Sequence, residues 1–297
     1  MKRFYYEKEL ADRGGFYVPL YRRASPVDAV SIGYGLFVVA YLVVFFIISL
    51  TNSFIKDPMQ VDIAQMFLSP SFEHLFGTDF LGRDIFSRIV KGTEAFFLPG
   101  LLCIAISTLF GLGFGILAGY YPRYCAGAVF YILNTVDSIP RFIFILVIII
   151  LFNPSIYVIM IFVGITSIPK TASYIKAKVE FLKKNRFMES SRALGLSPAT
   201  IIFKHIIWIY SKTVLIIQAT LRMGESVLIE TSLSYLGIGV QEPAPSWGNM
   251  VAMGKDFFFQ GKMWLSTIPA VTILMTIMGL YLLGDGLNSL YNEKVSR

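Results

Sequence analysis

The sequence predicts an all-α polytopic membrane protein, and two observations lead to that fold class. The 297 residues are 55% hydrophobic and only 15% charged, whereas a soluble domain usually carries about 25% charged residues. The mean hydropathy is +0.65. The deficit of charge is concentrated in several runs of roughly 20 residues, the length that an α-helix needs to cross the hydrocarbon core of a bilayer. A soluble fold is therefore strongly disfavoured.

Six transmembrane helices are predicted along the chain. They lie at about residues 29–50, 95–120, 127–151, 155–172, 206–228 and 264–284. The first, AVSIGYGLFVVAYLVVFFIISL, carries no charge and follows a charged and aromatic tail at 1–28. We interpret it as an uncleaved transmembrane helix and not as a signal peptide. An outer segment at 51–94 and a core of five helices at 95–290 are expected to follow.

The basic residues indicate the orientation. Most of the Lys and Arg side chains behind the net charge of +7 lie in segments 1–28 and 170–205, and cytoplasmic segments carry such an excess. Both segments, and with an even number of spans both termini, are therefore predicted to lie in the cytoplasm. The loops at 51–94 and 229–263 then face outward. Nucleic acid is not an expected partner, because no folded basic domain remains to bind it.

The sequence predicts no metal site, cofactor or enzyme active site. His74 and His205 are the only histidines, too few for a His-based metal site. The two cysteines, Cys103 and Cys125, carry little information. No P-loop, nucleophile elbow or zinc-ligand spacing occurs, so this chain is not expected to hydrolyse ATP by itself.

One polar, basic stretch, RFMESSRALGLSPATIIFKHI at 186–206, has the pattern of two short helices joined by a turn. Gly195 suits the position after a helix C-terminus, where left-handed backbone is needed. Ser197 suits an N-cap and Pro198 the first helical position after it. The first helix carries an acidic residue and three small ones, Glu189, Ser190, Ser191 and Ala193. Small side chains permit close approach of a partner backbone, and the alternative is a plain surface turn.

This stretch resembles the "EAA" coupling loop of bacterial ABC-importer permeases. Glu189 stands at the first position, Ser190 and Ser191 stand where the family has two alanines, and Gly195 stands at the glycine. Trp208 stands where the family usually has proline.

Three further segments resemble the oligopeptide, dipeptide and nickel branch of that family. They are GTDFLGRDIFSRIVKG at 77–92, SYLGIGVQEPAPSWGNM at 234–250 and LLGDGLN at 282–288. The four similarities occur in order and cover almost the whole chain. They indicate the C-type permease subunit, which has one helix before a type I ABC importer core.

The resemblance implies a set of partners and a division of labour. The partners would be a second homologous permease, two ABC ATPases that bind ATP and Mg, an extracytoplasmic solute-binding protein and membrane lipid. The coupling loop would span about 178–204 and lie on an ATPase. The solute would be a di- or oligopeptide, and alternatives are a nickel complex or another small solute.

Several other residues are candidates for structural or functional roles. Gly111, Gly115 and Gly119 recur every four residues, so we expect them on one helix face where a neighbouring helix packs closely. The residues Asp79, Arg83, Asp84 and Arg88 are spaced for i,i+4 ion pairs on an outer surface helix. Ile85 and Ile89 of that helix would face the membrane.

Pro243, Pro245 and Trp247 are expected to form a stiff outer segment with an interfacial aromatic. By resemblance this segment lies near the docking site of the solute-binding protein. The alternative is a loop that packs on its own domain.

Charged residues inside the predicted spans are candidates for a polar path, because such charges are costly and usually face a cavity or a partner. Asp137 and Arg141 have the spacing to pair along one helix. Gln218, Arg222 and Glu225 share a face, and Glu230 follows them. The alternative is that these residues form ion pairs buried between helices.

Two other classes of protein remain as alternatives to an importer subunit. A stand-alone carrier or channel would need its own coupling sites inside the membrane. A membrane enzyme would need a catalytic constellation, which the sequence lacks.

Overall fold

The computed structural model describes residues 26–121, 123–138, 140–152, 155–184, 195–197, 200–202, 206–207 and 211–295. Within these ranges the bounded α-helices are α1 (Pro26–Thr51), α2 (Ile85–Gly92), α3 (Phe97–Tyr120), α4 (Arg123–Asp137), α5 (Arg141–Phe152), α6 (Ile156–Lys183), α7 (Lys212–Tyr235), α8 (Trp247–Gly254) and α9 (Trp264–Val295). Short 3-10 turns lie at Ile63–Gln65, Thr93–Ala95 and Lys255–Gln260. The all-α fold class is therefore confirmed.

Four stretches of helix are long and apolar enough to cross a membrane. They are Pro26–Thr51, Ile85–Tyr120, Ile156–Lys183 and Trp264–Leu290. A fifth crossing arises if Gly127–Asp137 and Arg141–Phe152, which are bent by 70° relative to each other, count as one span. The polytopic membrane fold is thus confirmed, although the described part of the chain does not reach the predicted six spans.

The fifth predicted span, at 206–228, corresponds in part to α7. This helix has 24 residues, about 36 Å at 1.5 Å per residue, which is long enough to cross a bilayer. It is not among the apolar candidate spans, because the charged residues Arg222, Glu225 and Glu230 lie within it. The charges that the sequence offers as a candidate path are also what separates α7 from an ordinary apolar span.

The third predicted span, at 127–151, is wrong as a single helix. α4 ends at Asp137 and α5 begins at Arg141. Pro140 precedes α5, and proline has no backbone N–H to continue the hydrogen bonds of a helix from the preceding turn. The residues on either side of the break therefore belong to separate helices that point in different directions.

α3 and α6 pack closely through the three glycines of α3. An added Cβ at Gly111, Gly115 and Gly119 would lie 2.6 Å from Thr171, 2.7 Å from Ile175 and 2.8 Å from Val179, respectively. These separations are shorter than Cβ contacts in real proteins. The glycines thus form the close helix contact that their four-residue spacing leads us to expect.

α1 is bound to α9 by hydrogen bonds as well as by packing. The Tyr34 hydroxyl donates to the Met275 carbonyl at 3.1 Å, and the hydroxyl groups of Tyr41 and Thr276 hydrogen-bond to each other. Polar side chains in a bilayer need such partners, because no water is available to them. The first helix is therefore fixed to the last.

Several helices enclose an apolar cluster around Trp247. This side chain is fully buried, its indole N–H donates to the Ile89 carbonyl at 2.8 Å, and its ring meets Phe96 edge to face. Ile85 and Ile89 are each 1% exposed and belong to the same cluster. The expectation that these isoleucines face the membrane is wrong, because both are buried in this apolar cluster.

Candidate functional site

A charged cluster joins three helices in the interior of the helical region. Arg141, the first residue of α5, donates to Glu225 of α7 at 2.8 Å. Arg222 of α7 donates to the same Glu225 oxygen at 2.6 Å and to the Gln218 side chain at 3.3 Å. Arg141 also donates to the Thr166 carbonyl of α6 at 3.3 Å. The cluster therefore links α5, α6 and α7.

Asp137 does not join this cluster, which corrects the predicted pairing with Arg141 along one helix. The helix breaks between the two residues, so their i,i+4 spacing does not place them on a common face. Asp137 is exposed, while the Arg141 side chain reaches across to α7. Arg141, Arg222, Glu225 and Gln218 are brought together by the fold, and Asp137 is left outside.

A cavity of about 770 Å³ lies beside the cluster, between α6, α7 and α9. Its walls include Tyr174 and Phe181 of α6, Leu221 of α7 and Tyr281 of α9. Gln218 belongs both to the cavity wall and to the cluster, through its hydrogen bond from Arg222. The cavity and the cluster therefore meet at Gln218, and the cavity has the size of a small-molecule site.

Glu230, which the sequence groups with the path candidates, occupies a separate buried position. One carboxylate oxygen accepts hydrogen bonds from the hydroxyl groups of Ser234 at 2.7 Å and Ser246 at 2.8 Å. Ser246 is also the N-cap of α8, with a reciprocal bond to Asn249. Glu230 of α7 therefore links this helix to the N-terminus of α8.

The outer candidates form an ion-pair clamp instead of a charged surface helix. Asp79 and Arg83 pair at 2.7 Å within a turn that precedes α2, and Asp84 is the N-cap of α2, accepting from the Ser87 amide. Glu242, from the segment before α8, binds Arg83 at 2.6 Å and Arg88 at 2.8 Å. The predicted i,i+4 pair of Asp79 and Arg83 therefore forms, but its placement along a helix is wrong, because the helix begins only at Ile85.

The segment that contains Pro243, Pro245 and Trp247 packs on its own domain through the buried Trp247 side chain. Trp247 is not interfacial, because it is fully buried and hydrogen-bonded to α2. The Pro243 carbonyl lies 3.5 Å from the Arg88 guanidinium, beside the Glu242 clamp. This corrects the aromatic part of the prediction, and docking of a solute-binding protein near this segment stays a prediction.

Most of the predicted coupling loop, including Glu189, Ser190, Ser191, Ala193 and Pro198, lies outside the described residues. Gly195 has φ of +75°, the left-handed conformation that favours glycine at the end of a helix. The Ser197 hydroxyl accepts from the Thr200 amide at 3.2 Å, and the Ile201 amide donates to the Ser197 carbonyl at 3.1 Å. Ser197 therefore has the contacts of an N-cap.

The Ser197 cap leads to a local prediction. Ser197→Ala should make the amides of residues 200–202 exchange with deuterium about fivefold faster, since loss of an N-cap costs about 1 kcal/mol. Hydrogen-deuterium exchange mass spectrometry of the purified protein measures this directly. Ser197→Asn, which keeps an oxygen acceptor, should retain the slow exchange, and equal rates in all three proteins would contradict the assignment.

Sequence reasoning did not identify the two long-range ion pairs in these sites, Arg141 with Glu225 and Arg88 with Glu242. Arg141 binds a residue 84 positions away, and Arg88 binds Glu242 across 154 positions. His74, which carried no prediction, lies buried between Asp84 at 2.9 Å and Gln65 at 3.0 Å. No periodic pattern connects such distant positions, so only the fold identifies these pairs.

Comparison with known proteins places these features in context. A family model for the binding-protein-dependent transport system inner membrane component matches residues 111–297. The chain is 33% identical to the dipeptide transport system permease protein DppC of Alkalihalophilus pseudofirmus, over 76% of this chain and 74% of that protein.

Two other relatives have similar coverage. The chain is 31% identical to the probable D,D-dipeptide transport system permease protein DdpC of Escherichia coli, over 80% of this chain and 79% of that protein. It is 30% identical to the glutathione transport system permease protein GsiD of Pectobacterium atrosepticum, over 76% and 74% of the two chains.

Proposed function

Because this chain belongs to the family of binding-protein-dependent transport system inner membrane components, we propose that it is the C-type permease subunit of an ATP-binding-cassette importer for di- or oligopeptides. The observation that carries the proposal is the 33% identity to a dipeptide permease over 76% of the chain. The other relatives, named for a D,D-dipeptide and for glutathione, support a peptide cargo.

The chain is a multi-pass protein of the inner membrane, as its family and its apolar helices indicate. We place both termini and the basic segments in the cytoplasm, following the distribution of Lys and Arg. Residues 1–28 then form a cytoplasmic tail and 51–94 an outer segment, with the transport core at 95–290.

The importer requires other chains for its energy and its cargo. ATP and Mg are bound and hydrolysed on two partner ATPases, and a second homologous permease completes the membrane path. A solute-binding protein delivers the peptide from outside. This chain contributes the coupling loop at about 178–204 and one side of the path.

The position of the loop supports a direct route for the motion. Its first residues belong to α6, which ends at Lys183, and the chain beyond the loop leads into α7. Both helices line the 770 Å³ cavity and contribute to the charged cluster around Arg222. A displacement of the loop by an ATPase therefore moves two walls of the cavity relative to α9. Nucleotide on the ATPases biases this two-state element between inward-open and outward-open forms.

The experiment that tests the function is reconstitution of the complex in vesicles. Both permeases, the ATPases and the loaded solute-binding protein should give ATP-dependent uptake of a labelled dipeptide. Omission of the ATPases should abolish it. Uptake by this chain alone would support a carrier or channel instead, and uptake of a nickel complex without peptide uptake would change the cargo assignment.

The coupling loop yields a sharper prediction. Glu189→Lys reverses the charge at the first position of the loop and should lower peptide uptake about thirtyfold, since removal of an interfacial charged contact costs about 2 kcal/mol. ATP hydrolysis should lose its stimulation by loaded binding protein. Glu73→Lys, at an exposed acid of the outer segment, is the matched control and should transport normally.

A further inference from the structure

The cluster of Arg141, Arg222 and Glu225 has an excess of positive charge. Both guanidinium groups donate to the same carboxylate oxygen of Glu225, at 2.8 Å and 2.6 Å. One carboxylate therefore balances two cations. The Arg222 side chain is only 5% exposed, and an uncompensated charge in the interior of a membrane protein is costly.

Two buried donors of the cluster have no partner. The Nε atoms of Arg141 and Arg222 are buried and make no hydrogen bond with any described residue. Buried polar groups are normally satisfied, and each exception calls for an explanation such as a missing ligand. These two Nε–H groups could donate hydrogen bonds to a second carboxylate.

No second acid of the described residues compensates the cluster. Within 4 Å the arginines meet only Glu225, and Glu230 is held by two serine hydroxyl groups. Asp285 lies on the cavity wall together with Lys178, so the two contribute opposite charges there. The excess charge of the cluster thus remains next to the cavity.

Two side chains of the cluster are partly exposed, and a third residue of the cluster, Gln218, lies on the cavity wall. The Arg141 and Glu225 side chains are 20% and 24% exposed, and Gln218 connects Arg222 to the cavity wall. A purely structural ion pair is not stabilised by a second arginine whose charge and Nε donor have no partner of their own. A ligand site does benefit, because the charge and the Nε donor of the second arginine can bind a negative group of the ligand.

We propose that Arg141 and Arg222 form a carboxylate-binding site in the translocation path, which takes the C-terminal carboxylate of the peptide as it passes the cavity. This inference rests on the proposed function. The carboxylate supplies the second negative charge and occupies the free Nε donors. Glu225 holds the two guanidinium groups in place while the site is empty, and it keeps the net charge low enough for the peptide to be released.

The test compares a dipeptide with its C-terminal amide in vesicles that contain the complete complex. Each cargo is loaded on the binding protein to equal, saturating occupancy, so that delivery does not differ between them. The wild-type complex should import the free peptide about tenfold faster than the amide, because the amide lacks the charge that the arginines require.

Arg141→Gln should remove this preference, bringing the rates for the two cargoes to within about twofold of each other. Arg141→Lys keeps a cation and should retain part of the preference. Thermal unfolding and co-purification of the subunits establish that both variants fold and assemble. A variant that fails to assemble is replaced by Arg222→Lys, which should weaken the preference while it keeps the buried charge.

Each result decides between the two levels of inference. An equal slowing of peptide and amide by Arg141→Gln means that the cluster is structural, and this overturns the carboxylate site while the importer remains. A wild-type complex that imports both cargoes at one rate overturns the site in the same way. Failure of the wild-type complex to import either cargo overturns the proposed peptide function itself.

Discussion

Replacement of Gly115 by leucine is expected to prevent α3 from packing on α6 and to abolish assembly of the complex. A Cβ at this position would lie 2.7 Å from the Ile175 Cβ and 2.8 Å from the Ala172 carbonyl oxygen. Neither atom is the end of a flexible side chain, so the helices themselves must separate. Overpacking of this kind costs about 3 kcal/mol, a large share of the stability of a typical domain. Fluorescence-detected size-exclusion chromatography of the solubilised complex measures the loss.

Gly113 provides the matched control on the same helix. A Cβ at this position meets nothing within 4 Å, so Gly113→Leu adds the same apolar side chain towards open space. The yield of complex should stay close to that of the wild type. If the two leucine variants behaved alike, the effect would come from the loss of glycine in the helix, and close packing of α3 on α6 would not explain it.

The membrane helices could be predicted where one physical requirement dominates the sequence. The span predicted at 29–50 is Pro26–Thr51, and the span predicted at 95–120 contains Phe97–Tyr120. Both segments lack charge in the middle, so the cost of burying charge in lipid determines their position. The glycine spacing of α3 was informative for a similar reason, because close approach of two helices has few other solutions in lipid.

The rest depended on contacts between distant parts of the chain. Asp137 and Arg141 have the spacing of a helical pair, but the break before Arg141 directs that side chain to Glu225 instead. Likewise, Arg83 and Arg88 share a partner, Glu242, that lies more than 150 positions away in the sequence. Local patterns describe which residues could pair within an element, and they contain no information on which acid the fold brings from another one.

The C-terminal ends of α3 and α6 are joined by hydrogen bonds in addition to the glycine contact. Lys183 is the last residue of α6, and its ammonium group donates to the carbonyl oxygens of Gly119 at 3.2 Å and Tyr120 at 3.0 Å. These carbonyls end α3 and have no partner within their own helix. Under the proposed function, motion passed to α6 by the coupling loop would reach α3 through these hydrogen bonds as well as through the glycine contact.

Removal of the Glu242 carboxylate is expected to destabilise the outer segment strongly. Glu242→Ala leaves Arg83 and Arg88 without their shared partner, although these side chains are only 3% and 1% exposed. Breaking a buried ion pair by removal of one member costs about 3 kcal/mol, because the remaining charge stays buried. Asp79 still pairs with Arg83 at 2.7 Å, but it lies 3.9 Å from Arg88 and cannot replace the lost contact there. The unfolding midpoint of the purified complex should fall by roughly 5 °C or more.

Glu73 shows what an acid of the same segment contributes when it is exposed. Its carboxylate lies 3.6 Å from the Lys56 ammonium, and the Glu73 side chain is 74% exposed. Exposed pairs contribute about 0–1 kcal/mol, so Glu73→Ala should leave the midpoint nearly unchanged. Glu242→Gln separates charge from shape, since it keeps a hydrogen-bond acceptor and removes only the negative charge. A midpoint for Glu242→Gln near that of Glu242→Ala would show that charge compensation holds α2 to the segment before α8, and a midpoint near the wild type would show that hydrogen bonds suffice.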